Sequence, residues 1–142
     1  MAEDFILDPA FVATSHVVAD LPLCAVRLQD DARYPWLVLI PRQPGLREIE
    51  DLDTAHRIQL MEEIVLAGTA VRAIGAVLGR AVDKLNIGAL GNVTAQLHVH
   101  IVGRRKDDPA WPGPVWGHGP AAAYSAEALA APIEAARTAL RG

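Results

Sequence analysis

Residues 96–102 of the chain read QLHVHIV, a strict alternation of polar and apolar side chains. This alternation predicts a β-strand, because successive side chains of a strand point to opposite faces. Gln96, His98 and His100 should therefore share one face, while the apolar residues between them face a hydrophobic core. The unperturbed pKa of imidazole, about 6.5, lies near neutrality, so two histidines can supply a neutral nucleophile beside a proton donor. Polar residues on a half-exposed strand, or two ligands of a metal site, are the alternatives that this stretch leaves open.

The sequence on both sides of this stretch favours an anionic ligand. Residues 84–92 read KLNIGALGN, a predicted strand that runs into a Gly/Asn turn, and residues 103–106 read GRRK. Glycine allows close approach to the backbone, asparagine donates amide protons, and cationic side chains compensate phosphate charge. We therefore expect a phosphate-containing ligand near the two histidines.

Residues 85–105, LNIGALGNVTAQLHVHIVGRR, resemble the histidine triad (HIT) family of nucleotide hydrolases and transferases. The resemblance extends more loosely over residues 21–105. The family signature is His-x-His-x-His-x-x with apolar residues at x. The resemblance implies that His98 attacks the α-phosphate and carries a transient nucleotidyl group, and that His100 is the last signature histidine. It also places Asn86 where the family has an asparagine that contacts the ribose or the phosphate.

The chain departs from the family pattern at three positions. Gln96 replaces the first signature histidine, and it can orient a neighbour by hydrogen bonding but cannot relay charge. Trp36 stands where hydrolase branches have a further histidine, and we include it among the expected nucleotide contacts. Val93 replaces the usual Ser or Thr, but backbone amides near Asn92 and Val93 can still bind phosphate. A branch that transfers nucleotides to galactose phosphate also has a glutamine in its signature, so Gln96 does not by itself exclude activity.

The composition is that of one ordered globular domain. Of the 142 residues, 51% are hydrophobic and 21% are charged, and the net charge is −4. A chain of this length and balance can bury a single core. We expect one domain over residues 1–142, with its core at about residues 21–105 and a C-terminal extension at residues 106–142.

Several classes of protein are disfavoured. A net negative charge with only a short basic run argues against a partner such as bulk nucleic acid. The single Cys24 excludes an internal disulfide and is expected to be a small buried residue. No apolar run approaches the ~20 residues that span a bilayer, and the acidic residues 1–4 lack the features of a signal peptide. The sequence therefore predicts a cytoplasmic protein without a membrane partner.

The hydrophobic periodicity predicts an α+β fold: an antiparallel sheet of about five strands, one long central helix, and an irregular C-terminal extension ending in a helix. Four of the strands are predicted at residues 23–28, 36–41, 84–90 and 94–104. Helical structure is predicted as a turn at residues 10–14, as the central helix at about residues 53–78, and as a terminal helix, interrupted at Pro132, at residues 125–141.

Residues 107–120, DDPAWPGPVWGHGP, are too rich in proline for a helix or a central strand. Trp111 and Trp116 predict an ordered loop, because two large aromatic rings are expected to dock on the domain or on a partner chain. The loop directly follows the strand that bears the histidines. We therefore expect at least one of these tryptophans to lie near the nucleotide site, with plain packing as the alternative.

The leading functional hypothesis is hydrolysis or nucleotidyl transfer at the α-phosphate of a nucleotide. The substrate would be of the dinucleoside polyphosphate or nucleoside phosphoramidate type, and the intermediate would be covalent on His98. His100 and Gln96 would hold its ring and orient the site. The resemblance implies a homodimer and no resident cofactor or metal, with magnesium entering only alongside a polyphosphate substrate.

Two other functions stay open. A non-catalytic nucleotide-binding regulatory dimer would result if the loss of the first and the upstream histidines had removed turnover. A zinc protein would use His98 and His100 as ligands, but structural zinc needs four protein ligands and the chain has a single cysteine.

Overall fold

The computed structural model describes residues 4–142. Its elements, in chain order, are α1 (Pro9–Thr14), β1 (Ser15–Asp20), β2 (Cys24–Gln29), β3 (Trp36–Pro41), α2 (Thr54–Val77), β4 (Lys84–Gly88), β5 (Val99–Arg104) and α3 (Ala130–Leu140). A short 3₁₀ turn, Ile49–Asp51, precedes α2. Residues 1–3, which contribute to the expectation that a signal peptide is lacking, lie outside the described residues.

The sheet has five antiparallel strands in the order β1-β2-β3-β5-β4. The predicted α+β fold is thereby confirmed. The fifth strand, which the periodicity did not locate, is β1. The central position of β3 and β5 matters for function, because it places side chains from residues near 36 and near 100 side by side.

The central helix α2 covers one face of the sheet and creates the main core. Its N-cap is Asp53, whose carboxylate accepts the backbone N–H of His56, and Gly79 follows its end with a φ of 70°. A short acidic side chain satisfies a free N–H at the start of the helix, and glycine tolerates the left-handed turn at its end. Ala67, Ala70 and Val71 of α2 are fully buried against the sheet and α3.

The predicted strand at residues 94–104 begins only at Val99, and the strand predicted to end at residue 90 ends at Gly88. Pairing of β4 with β5 ends where Gly88 faces His100. The backbone then leaves the ladder, because the N–H of Leu97 donates to the C=O of Leu46 at 3.0 Å. Gln96 and His98 therefore lie on a loop that enters β5, and not within the strand.

The terminal helix begins at Ala130, five residues later than predicted, and Pro132 does not interrupt it. Pro132 occupies the first helical turn, where the missing N–H of proline has no intrahelical partner to lose. Ser125 caps a separate turn, in which its Oγ accepts the N–H of Ala128.

The face of the sheet opposite α2 is covered by α1 and by the loop at residues 107–120. Phe11 from α1 and Val115 from the loop pack here on Val38 and Val102 of the sheet. This second, smaller core is ordered, as the two tryptophans of the loop predicted. Within residues 4–142, no helix is long and apolar enough to cross a membrane.

Candidate functional site

His98 and His100 lie together on the sheet face opposite α2. Their ring centroids are 4.9 Å apart and the rings meet edge to face. His100 belongs to β5 and is flanked by Val38 on β3 and by Gly88 on β4. The rigid centre of the sheet therefore fixes one imidazole directly, and the loop that enters β5 supplies the other.

The backbone fixes the tautomer of His98. Its Nδ1 lies 2.6 Å from the C=O of Gln96. A carbonyl oxygen only accepts hydrogen bonds, so Nδ1 carries the proton and Nε2 of the neutral ring keeps a free lone pair. The edge of Phe11 packs against the same ring at a centroid distance of 4.8 Å, and His98 is only 7% exposed. This is the arrangement that a nitrogen nucleophile requires.

The ring of His100 has the opposite tautomer. The indole N–H of Trp36 donates to Nδ1 of His100 at 3.0 Å. Nδ1 is therefore the acceptor, and Nε2 of the neutral ring carries the proton. Burial, and secondarily the charge of His98, lowers the pKa of His100 to about 4. His100 is thus a neutral hydrogen-bond donor at physiological pH.

A cavity of about 460 Å³ opens over the two histidines. Its walls come from α1, from Gln29 at the end of β2, from the loop at residues 90–94, and from Trp116. A second cavity of about 250 Å³, beside residues 47–50, shares Leu90, Gly91 and His98 with the first. The first cavity falls within the usual size range of small-molecule sites, and His98 lies where the two meet.

Three of the predicted binding residues line this cavity. Asn92 and Val93 belong to its loop wall, and the side chain of Val93 is fully exposed. The ring of Trp116 lies 5.7 Å from that of His100. Gly88 permits this contact, because a Cβ at that position would come within 3.1 Å of the Trp116 ring.

Two other predicted residues are directed elsewhere. The side-chain oxygen of Asn86 accepts a hydrogen bond from Nη1 of Arg104 at 2.8 Å. Trp111 packs against the same guanidinium, 5.6 Å from its ring centroid. Neither lines the cavity, so the expectation of a nucleotide contact is not supported for Asn86 or Trp111. Both contribute instead to a structural cluster around Arg104.

Gln96 and Trp36 differ from expectation in another way. The side chain of Gln96 does not orient His98, because it is hydrogen-bonded to the backbone of Ile6 and Asp8; its backbone carbonyl holds the imidazole. Trp36 is only 6% exposed and lies behind His100. It is a buried partner of the site and offers no open face to a nucleobase.

Sequence reasoning missed the contribution of α1. Ala10, Phe11 and Thr14 line the cavity, although nearly 90 residues separate them from the histidines. The predicted helical turn at residues 10–14 was the only signal there, and it does not indicate which surface the turn covers.

The geometry can be compared with known proteins. Residues 10–107, more than half of the chain, match the model of the HIT domain. The chain belongs to the histidine triad family. HIT proteins are in general nucleotide-binding hydrolases and transferases, which agrees with an imidazole that keeps a free lone pair and lines two adjoining cavities.

Solved HIT structures match this chain over nearly its whole length. A histidine triad protein from Bradyrhizobium japonicum is 42% identical with a TM-score of 0.88, covering 97% of this chain and 99% of that one. A histidine triad protein from Marinobacter aquaeolei VT8 is 35% identical with a TM-score of 0.89, covering 98% of each chain. One from Sinorhizobium meliloti 1021 is 36% identical with a TM-score of 0.86, covering 94% and 96%. No curated protein sequence matches the chain significantly.

Among the described residues, His98 and His100 have no third side chain beside them that could complete a metal site. In the part of the chain that the structure describes, residues 4–142, no three His, Cys, Asp or Glu side chains form a group that could hold a metal ion. Cys24, the single thiol, is fully buried in the main core, where burial raises its pKa.

Proposed function

We propose that this HIT protein hydrolyses or transfers a nucleotide at its α-phosphate through a covalent intermediate on His98. One observation carries the proposal: the 2.6 Å contact between Nδ1 of His98 and the C=O of Gln96 leaves the Nε2 lone pair free at the cavity. A neutral imidazole with a fixed tautomer is a competent nucleophile without prior loss of a proton.

In the first step, Nε2 of His98 forms a bond to the α-phosphorus, and the bond from phosphorus to the leaving group breaks with its electron pair. In the second step, water forms the new bond to phosphorus, its proton passes to solvent, and the N–P electron pair returns to His98. Positioning and charge stabilisation dominate such transfers. Backbone amides near Asn92 and Val93, together with the Nε2–H of His100, would neutralise charge on the phosphoryl oxygens.

The leaving group is best matched by a phosphate anhydride. Among residues 4–142, no carboxyl, lysine or tyrosine side chain lines the larger cavity, and a neutral imidazole N–H such as that of His100 is a weak acid. A polyphosphate can leave without receiving a proton, whereas an amine cannot. We therefore place dinucleoside polyphosphates ahead of nucleoside phosphoramidates. The scheme uses no resident cofactor, and magnesium would enter with the polyphosphate as its counter-ion.

We further propose that the protein acts as a homodimer. Ile58, Met61 and Val65 follow one another along α2 at spacings of three and four, and each is more than half exposed. Ile87, half exposed, lies on the edge strand β4. An apolar stripe beside an open sheet edge is typical of a surface covered by another chain.

Turnover of a panel of adenylated substrates tests the function. His98→Ala should reduce release of AMP by roughly 10³-fold or more while AMP binding changes little, because the nucleophile acts in the transition state. His118→Ala is the matched control: His118 is exposed, lies outside the cavity, and should be dispensable.

Full activity of a folded His98→Ala protein would contradict the mechanism. AMP binding by the wild type without turnover of any substrate in the panel would instead support the non-catalytic regulatory dimer. Faster turnover of adenosine phosphoramidate than of diadenosine polyphosphates would contradict the assignment of the leaving group.

A further inference from the structure

The side chain of Gln96 is hydrogen-bonded to the N-terminal segment of the chain. Its Oε1 accepts the backbone N–H of Asp8 at 2.8 Å, and its Nε2 donates to the C=O of Ile6 at 2.9 Å. Because Asp8 offers a donor and Ile6 an acceptor, only one orientation of the amide satisfies both. Gln96 therefore pairs with this segment as the backbone of a neighbouring strand would.

The segment held in this way forms one wall of the larger cavity. We call residues 6–14 the N-terminal wall. The carboxylate of Asp8 caps α1 by accepting the N–H of Ala10. Ala10, Phe11 and Thr14 line the cavity, and Phe11 touches the ring of His98. The position of the wall thus determines the shape of the cavity.

Gln96 contacts the nucleophile, His98, through its backbone and not through its side chain. Its backbone C=O holds Nδ1–H of His98, and a substitution of the side chain leaves that carbonyl in place. The side chain of Gln96 therefore holds the N-terminal wall, while its backbone carbonyl holds the imidazole of His98.

Glutamine suits the wall better than histidine does. Its amide presents a donor and an acceptor side by side in one plane. The two nitrogens of an imidazole diverge, and a protonated imidazole has no acceptor at all. A histidine at position 96 would leave the N–H of Asp8 or the C=O of Ile6 without its partner.

We propose that Gln96 is a positioning residue that docks the N-terminal wall and thereby sets nucleotide affinity, without acting in the chemical step. The inference rests on the proposed function for its nucleotide readout. The docking itself can be measured without any nucleotide.

The first experiment is residue-resolved amide hydrogen exchange of the nucleotide-free protein. In Gln96→Leu, exchange at Asp8 and Phe11 should accelerate about tenfold or more, while exchange in α2 stays unchanged. Gln59→Leu is the matched control, since Gln59 is a half-buried glutamine on α2 that donates to Glu63, away from the cavity. Equal exchange at Asp8 in wild type and Gln96→Leu would overturn the docking.

The second experiment measures AMP binding and steady-state turnover of a diadenosine polyphosphate. Gln96→Leu and Gln96→His should each raise Kd and KM about tenfold with kcat within about threefold, whereas His98→Ala shows the reverse split. A fall in kcat at constant KM would overturn the inference. Absence of both AMP binding and turnover in the wild type would overturn the proposed function and the affinity claim with it, while the exchange result decides the docking independently.

Discussion

At the scale of single residues, the site depends on two imidazoles with opposite tautomers. A backbone carbonyl fixes one ring, and the indole of Trp36 fixes the other. Each hydrogen bond holds its ring in one orientation, so little reorganisation is needed when phosphate charge develops. The indole N–H of Trp36 can only donate, so it restricts Nδ1 of His100 to the acceptor role.

Replacing Trp36 with Phe should lower kcat about fivefold to tenfold with a smaller change in KM. The variant removes the indole N–H, so His100 is no longer restricted to the tautomer that presents Nε2–H to the substrate. Trp111→Phe is the control, because Trp111 packs on Arg104 away from the cavity. Steady-state kinetics and the ¹⁵N shifts of His100 check this; unchanged shifts in Trp36→Phe would contradict it.

The free energy of unfolding should decrease as the pH is lowered from about 6.5 to 4. The folded pKa of His100, about 4, lies below the value of about 6.5 expected in the unfolded chain. In this interval the unfolded chain binds a proton that the folded protein does not, so acid favours unfolding, by roughly 1 to 3 kcal/mol at pH 4. Urea unfolding of wild type and His100→Phe measures the effect. An identical pH dependence in both proteins would rule out His100 as its source.

At the scale of elements, the loop at residues 107–120 is held by a buried ion pair. Arg104 at the end of β5 is 1% exposed and forms two hydrogen bonds with the carboxylate of Asp108, at 2.8 and 3.0 Å. The same carboxylate accepts the N–H groups of Arg105, Ala110 and Trp111. Burial alone would raise the pKa of Asp108, but these hydrogen bonds hold it below its usual value.

Asp108→Ala should destabilise the protein by roughly 3 kcal/mol, because it removes the carboxylate that balances the charge of the buried Arg104 guanidinium. It should also release the loop, so that Trp116 leaves His100. Asp107→Ala is a close control, since Asp107 pairs with Arg105 at the surface and exposed pairs contribute little. Urea unfolding followed by tryptophan fluorescence reports both effects. Equal destabilisation by the two variants would contradict the role assigned to Asp108.

At the scale of the whole molecule, the apolar stripe on α2 should control assembly. Met61→Glu places a charge in the centre of the stripe and should convert the proposed dimer to a monomer, because burying an unpaired carboxylate is costly. Val17→Glu is the control: Val17 is as exposed, at 61%, but lies on β1 at the opposite edge of the sheet. Sedimentation velocity distinguishes the two. A wild-type monomer, or a dimer that survives Met61→Glu, would contradict the proposed interface.

Local patterns in the sequence were sufficient for the fold class, for most of the elements and for the placement of two imidazoles side by side. The alternation around His98 and His100, the helical spacing of α2 and its flanking Asp53 and Gly79 depend on neighbours within a few residues. Such signals predicted the α+β fold, the pair of imidazoles on one face and the family. These signals failed at the ends of elements: residues 94–98 have strand periodicity, but the strand begins only at Val99.

Only the tertiary structure decided which distant residues complete the site. Trp36 meets His100 across 64 positions, and Gln96 meets Asp8 across 88. These contacts exist because β3 and β5 are neighbours and because α1 folds back over the sheet. The same packing places Trp116, and not Trp111, beside His100. No local pattern encodes these choices, since each is set by the free energy of closing the whole sheet and covering its second face.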